Sequence, residues 1–281
     1  MPIRILSPLP QRLYSKIFPP SLPSTHAPLI ILHGGPGLPH DYLLNISPFI
    51  SDRMVIYYDQ LGCGRSLIVP LGASPTLSIE ESVRDLYELL TYLNIDSCSL
   101  LGHSWGGILA YEFSLFSSKL FNNKVNILSL ILCDVPTSIA LVKRKINECM
   151  GRLIMEGVRS EDLDTVFRRR HTCHDINCPN LILSEAHRST CKQWSGLETI
   201  RDWTLPPDSV MNSETEGHVV RRILVLRGCD DFVDFECVYG WRSVAADVRF
   251  ETVANSSHMP HIENSKQFME LINEFLAEDT V

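Results

Sequence analysis

Apolar side chains along this chain fall into two alternating patterns. Pro28 to His33 and Met54 to Tyr58 are short, nearly unbroken apolar runs, ended by Gly34-Gly35 and by the turn-rich Asp59 to Gly64. Runs of this length and continuity predict strands buried on both faces of a sheet. Ser78, with Glu81 three residues on, has the form of a capping box, and Val83, Leu86, Leu90 and Leu93 then recur every three or four positions, as on an amphipathic helix. A strand at Ser99 to Gly102, a helix over 105–118 and a strand from Val125 to Cys133 continue the alternation.

The pattern breaks over 137–205, a stretch richer in charge, with helical segments and no buried-strand run. It resumes with a strand at Ile223 to Leu226, a helix near 234–245, a strand from Val248 to Val253 and a last helix over about 262–277. Alternation of this kind predicts an α/β protein: a mostly parallel, doubly wound sheet built from 1–136 and 206–281, with a helical cap inserted at 137–205. Pro19, Pro20 and Pro23 mark a turn-rich lead-in, and no internal repeat is present.

Composition narrows the function classes. The 281 residues carry 25 Lys and Arg against 33 Asp and Glu, a formal charge of −8 that offers no basic footprint for nucleic acid or an anionic membrane. Met1 to Gln11 lacks a basic end followed by a long apolar core, and no apolar run approaches the roughly 18 residues of a membrane span. The nine cysteines are scattered, which favours free thiols in a reducing compartment, so a cytoplasmic location is expected. The triplets Asn45-Ile46-Ser47 and Asn255-Ser256-Ser257 have the form of glycosylation sites but read as chance matches, because a glycan on the second would crowd His258.

The strongest chemical signal is Gly102-His103-Ser104-Trp105-Gly106, followed by Gly107, between a predicted strand and a predicted helix. A serine on a sharp strand-to-helix turn needs minimal side chains two positions away on either side, and the turn lifts its hydroxyl off the sheet while the new helix aims free amides at a developing oxyanion. A serine hydroxyl is a weak nucleophile at neutral pH and requires a base. His258, in Ser256-Ser257-His258-Met259-Pro260-His261 after the last predicted strand, is the candidate, with His261 as the fallback. Asp231, in Gly228-Cys229-Asp230-Asp231-Phe232-Val233-Asp234, is the candidate acid behind it, Asp230 is the runner-up, and Asp234 reads as a helix cap. The glycine loop His33-Gly34-Gly35-Pro36-Gly37 follows the first apolar strand, where the second oxyanion amide is expected beside that of Trp105.

His33 to Gly37, Tyr58 to Ser66, Gly102 to Gly107 and Ser256 to His261 together resemble the proline iminopeptidase family of α/β-hydrolases, which release N-terminal residues from peptides or hydrolyse amino-acid amides. The resemblance runs in order through nearly all of the chain after residue 28. It implies the α/β-hydrolase fold, the triad Ser104, His258 and Asp231, oxyanion donors at Gly35 and Trp105, a small-molecule or short-peptide substrate, and no cofactor or metal. Arg170 to Cys173 and Ile200-Arg201-Asp202-Trp203 are similar to pieces of the family's cap, which is shortened here.

Two departures concern the substrate's ammonium group. The family holds it with a cap glutamate and a glutamate directly after the catalytic aspartate; here Gln193, beside Trp194, and Phe232 stand in those places. A buried ammonium without an anion carries a large desolvation cost, so a preference for free N-terminal amines is not expected. Gly34, Gln193, Trp194 and Phe232 are the candidate substrate contacts. Three rivals follow: an esterase or amidase acting on a specialised metabolite, another acyl transfer or a non-hydrolytic reaction on the same triad, and a non-catalytic binding protein that keeps the fold.

Other features read as structural. His171, Cys173, His174 and Cys178 fit no standard zinc spacing, and Arg168 to Arg170 read as a solvated helix face. Asp59 and Gln60 read as loop braces, Cys63 as a buried filler and Glu112 as a polar brace inside its helix.

Overall fold

The computed structural model describes residues 13–35, 37–66, 78–120, 125–174, 199–206 and 220–279. Seven strands form one sheet in the order β1-β3-β2-β4-β5-β6-β7. These are β1 (Tyr14–Phe18), β2 (Leu29–Leu32), β3 (Val55–Asp59), β4 (Ser97–His103), β5 (Asn126–Cys133), β6 (Arg222–Gly228) and β7 (Asp247–Val253). All neighbouring pairs are parallel except β1 with β3. The α/β architecture with a mostly parallel sheet is as the periodicity predicts, and β1 is an addition to it. Its sequence, Tyr-Ser-Lys-Ile-Phe, has no apolar run, because an edge strand with one neighbour buries only part of its surface.

Side-chain alternation along the buried strands divides the core in two. Ile30, Leu32, Ile56, Leu100, Leu130, Leu132, Ile223 and Val225 point to the layer that holds helix α1 (Ile79–Tyr92) and helix α2 (Trp105–Leu120). Leu29, Ile31, Val55, Tyr57, Leu101, Ile131, Leu224 and Leu226 point to the other face, against Tyr42, Leu43 and the helix Ser265–Leu276. Helices on both faces make the sheet doubly wound. The capping box at Ser78 and Glu81 forms, with Val83, Leu86, Leu89 and Leu90 as the buried face of α1.

Between β5 and β6 the chain runs through helix α3 (Ile139–Met155), a 3₁₀ turn (Ser160–Asp162), helix α4 (Leu163–Phe167) and one π-turn (Arg168–Thr172). Cys149, Leu153 and Phe167 form a small core of their own. The predicted helix near 234–245 is a four-residue α-helix, Phe235–Val238, running on as a 3₁₀ helix, Tyr239–Ser243, and Asp234 caps it by accepting from the Cys237 amide at 3.2 Å. The last helix is broken at Asn264, which caps Ser265–Leu276.

Candidate active site

Strand register gathers the chemistry at one edge. Leu32 pairs with Gly102, Gly102 with Leu132, Cys133 with Leu226 and Gly228 with Val253, so the segments after β2, β4, β5, β6 and β7 all leave the sheet together. The chain steps from β2 to β3 on one side and to β4 on the other, and a reversal of strand order at carboxyl ends opens a crevice there.

Ser104 occupies that crevice on a strained turn. Its φ is +52°, a left-handed conformation that costs a non-glycine residue about 1–2 kcal/mol. The Ser104 amide donates to the Cys133 carbonyl at 2.8 Å and the Gly107 amide to the Ser104 carbonyl at 2.9 Å, which fixes the turn between β4 and α2. The glycines are required by space: a Cβ on Gly102 would lie 2.4 Å from Gly106 backbone, and one on Gly106 2.2 Å from the Leu32 carbonyl. Gly35, in the loop after β2, has φ +120°, and a Cβ there would lie 2.5 Å from the Gly37 amide nitrogen.

The loops after β6 and β7 bring an imidazole and a carboxylate together. His258 Nδ1 donates to Asp231, at 2.9 Å to Oδ2 and 3.0 Å to Oδ1, and both side chains are buried. Asp231 Oδ1 also accepts from the Val233 amide at 3.0 Å. With Nδ1 so engaged, Nε2 is the nitrogen left to take up a proton. Burial holds His258 below the ordinary histidine value, opposed in lesser part by the neighbouring acidic groups Asp134 and Glu263, so the resting ring is neutral at pH 7. Asp230 points elsewhere, with Oδ2 3.6 Å from His174. The His261 ring is buried against Tyr42 and His103, with centroids 5.6 Å and 5.4 Å away.

Phe232 stacks on the His258 ring with centroids 4.6 Å apart and planes 29° apart. Its other neighbour is Phe167 of α4, at 5.9 Å, so one aromatic side chain joins the imidazole to the helical insertion. Lys145 of α3 reinforces this junction through Asp234, at 2.9 Å. Gln193 and Trp194 lie outside the described residues.

A hydrogen-bond relay absent from the sequence reading crosses the site. The Gly34 amide donates to the Tyr42 hydroxyl at 2.7 Å, Tyr42 lies 2.7 Å from His103 Nδ1, and His103 Nε2 lies 2.8 Å from the His258 carbonyl. Because a carbonyl only accepts, His103 must carry its proton on Nε2 and accept from Tyr42 on Nδ1. Burial, with the nearby His258 as a lesser cause, pushes His103 down to about 4, consistent with that neutral tautomer. The residue before Ser104 thus ties the serine turn to both the glycine loop and the histidine loop.

Gln60 and Asp59 brace the remaining loops, as their place in the sequence suggests. Gln60 donates to the His33 carbonyl at 2.8 Å and accepts from Trp105 Nε1 at 2.7 Å. Asp59 accepts from the His40 amide at 3.0 Å and the Arg65 amide at 2.8 Å. Cys63 is buried, and Glu112 accepts from Trp203 Nε1 at 2.7 Å.

Asp134 is a further acidic group that the motifs do not pick out. It follows β5, has φ +55° and is fully buried at the site edge. The one available signal was a charged residue directly after a long buried strand. The set His171, Cys173 and His174 does not converge as a metal site among the described residues, and Cys178 lies outside them. His171 Nδ1 and His174 Nε2 instead donate to the Asp230 and Arg170 carbonyls. Arg168 pairs with Asp164 and Arg170 with Glu156 on an exposed surface. The seven described cysteines are free, and among the described residues no helix is long and apolar enough to cross a membrane.

A parallel sheet with a serine elbow, a buried histidine–aspartate pair and a glycine loop at its carboxyl edge defines the serine-hydrolase class of α/β proteins. The chain belongs to the alpha/beta hydrolase family, whose model matches residues 29–271. Within it the chain is proline iminopeptidase-like. It is 26% identical over 281 residues to the proline iminopeptidase of Lactobacillus crispatus (strain ST1), covering 90% of this chain and 91% of that one. The crystal structure of a proline iminopeptidase from Mycobacterium smegmatis superposes with a TM-score of 0.79 at 24% identity, covering 99% of this chain and 98% of that one. The enol-lactonase from Burkholderia xenovorans LB400 shares the fold at a TM-score of 0.68 and 18% identity, over 95% of this chain and 96% of its own. Family and fold together support an enzyme of the serine-hydrolase type.

Proposed function

We propose that this chain hydrolyses an amide or peptide bond through an acyl-enzyme, with Ser104 as nucleophile, His258 as general base and acid, and Asp231 as the group that orients and stabilises the imidazolium. His258 Nε2 takes the Ser104 proton as the oxygen attacks the substrate carbonyl, and the amides of Gly35 and Trp105 receive the oxyanion. The protonated ring gives its proton to the leaving amine; water then repeats the sequence and releases the acid. The Gly34 amide already donates to the Tyr42 hydroxyl, which leaves Gly35 as the oxyanion donor of its loop. The observation that carries the proposal is the buried His258–Asp231 pair, joined through His103 to the strained turn of Ser104.

Residues 137–205 act as a cap in this proposal, with Gln193, Trp194 and Phe232 on the substrate side. Phe232 presents an apolar face where the family resemblance implies an amine-binding glutamate. Glu263, the buried carboxylate nearby, already accepts from the Ser257, Met259 and His174 amides. A neutral amide or ester therefore suits the site better than a free N-terminal ammonium. Turnover of proline and alanine arylamides, their N-acylated forms and simple aryl esters tests this. Faster turnover of the acylated amides or esters is expected; a clear preference for the free-amine arylamides contradicts it.

A further inference from the structure

Asp134 sits where the mechanism uses no group, yet it is built into the site from three sides. Its Oδ1 accepts from the Gly228 amide at 2.9 Å and its Oδ2 from the Cys133 thiol at 3.0 Å, and its carboxyl faces that of Asp231. One of its carboxyl oxygens lies within 4.8 Å of a ring nitrogen of both His103 and His258. Two adjacent buried carboxylates beside a neutral imidazole would repel strongly, and a single proton held between them removes that repulsion.

We propose, on the basis of the triad assigned above, that Asp134 and Asp231 form a one-proton pair behind His258, in which Asp134 positions Asp231 and replaces it as the imidazole's acid when Asp231 is removed. The groups facing Asp134 are Asp231, His258, His103 and Cys133; Arg227 and Glu263 face Asp231. Burial, and then the charge of Asp231, push Asp134 well above the usual carboxylate range, and burial raises Asp231 too, to about 8. The pair therefore keeps one proton at pH 7, and the hydrogen bonds that Asp231 accepts from His258 Nδ1 and the Val233 amide favour Asp231 as its anionic member. When His258 becomes an imidazolium in the first step, the proton is free to shift along the pair without leaving it.

Asn fits the left-handed backbone of residue 134, keeps an oxygen for Gly228 and can donate to Asp231, so Asp134→Asn is a mild change. Loss of a lone orienting acid typically costs about 10⁴ in rate. With p-nitrophenyl butyrate as substrate, Asp134→Asn is expected to lose less than about tenfold in kcat/KM, Asp231→Asn about 10–100-fold, and the double variant about 10⁴-fold. The Asp231→Asn activity should also rise with pH as Asp134 ionises, a limb missing from the double variant. Asp231→Asn falling as far as the double variant, with folding confirmed by circular dichroism, overturns the proposal. A second arm needs no turnover: carboxyl-carbon NMR of ¹³C-aspartate-labelled protein at pH 7 should show one protonated carboxyl in the wild type that vanishes in Asp134→Asn. Finding every aspartate ionised overturns the shared proton. Should the wild type neither hydrolyse the ester nor label with a fluorophosphonate, the triad assignment fails and the NMR arm alone decides the pair.

Discussion

Removing one oxygen atom, by Tyr42→Phe, tests how the three loops are held together. The Tyr42 hydroxyl accepts from the Gly34 amide and donates to His103 Nδ1, both at 2.7 Å, in a site closed to water. Phenylalanine fills the same space but leaves a buried donor and a buried acceptor unpaired. His103 cannot rescue the loss by moving its proton to Nδ1, because Nε2 would then face the His258 carbonyl without a hydrogen. Each orphaned buried group costs about 1–3 kcal/mol, so the expected loss is about 2–6 kcal/mol. At about 2 °C per kcal/mol for a chain of this size, Tm should fall by roughly 4–12 °C. Tyr58→Phe is the matched control: Tyr58 is equally buried, and its hydroxyl has no partner among the described residues. Urea titrations of both variants, compared at equal slope, measure the difference. A Tyr42→Phe loss no larger than that of Tyr58→Phe refutes the relay.

Three further outcomes follow from the same geometry. Burial lowers His258, and the neutral ring is the active base, so kcat/KM for an aryl ester should rise with pH through a midpoint below 6.5 and be flat above it; a midpoint above 7 contradicts this. Phe232→Glu places an anion against the ring that Phe232 now covers at 4.6 Å, which favours the imidazolium and should move that midpoint up by about one unit, as a rate profile would show. Gly106→Ala drives a Cβ to 2.2 Å from the Leu32 carbonyl, a backbone clash no rotamer relieves. Its cost belongs at the upper end of the ~1–3 kcal/mol usual for overpacking or beyond, and near-wild-type thermal stability would argue against the tight elbow.

Much of this architecture was legible in the chain because it is local. Leu29 to Leu32 and Val55 to Tyr58 are buried on both faces, and that condition writes itself as an unbroken apolar run. The serine turn, the Asp234 cap and the histidine loop are likewise short-range demands on residue type. The Tyr14–Phe18 strand was not legible, since Ser15 is buried and Lys16 is not, and pairing on one side imposes no long run. The Tyr42–His103–His258 relay and the Asp134–Asp231 contact were hidden for a different reason: each joins residues 61 to 155 positions apart or on separate strands, and nothing in the intervening sequence encodes the meeting. The break in the final helix leaves no mark in the pattern, because Asn264 interrupts it by capping and not by an obvious glycine or proline.

The central claim is that Ser104 is made nucleophilic by His258. Peptide mapping by mass spectrometry after treatment with a fluorophosphonate tests it most directly. The adduct should appear on the peptide carrying Ser104, at one per chain, and should be lost in both Ser104→Ala and His258→Ala with folding retained. An adduct on another residue, or full labelling of Ser104 without the His258 imidazole, would contradict it.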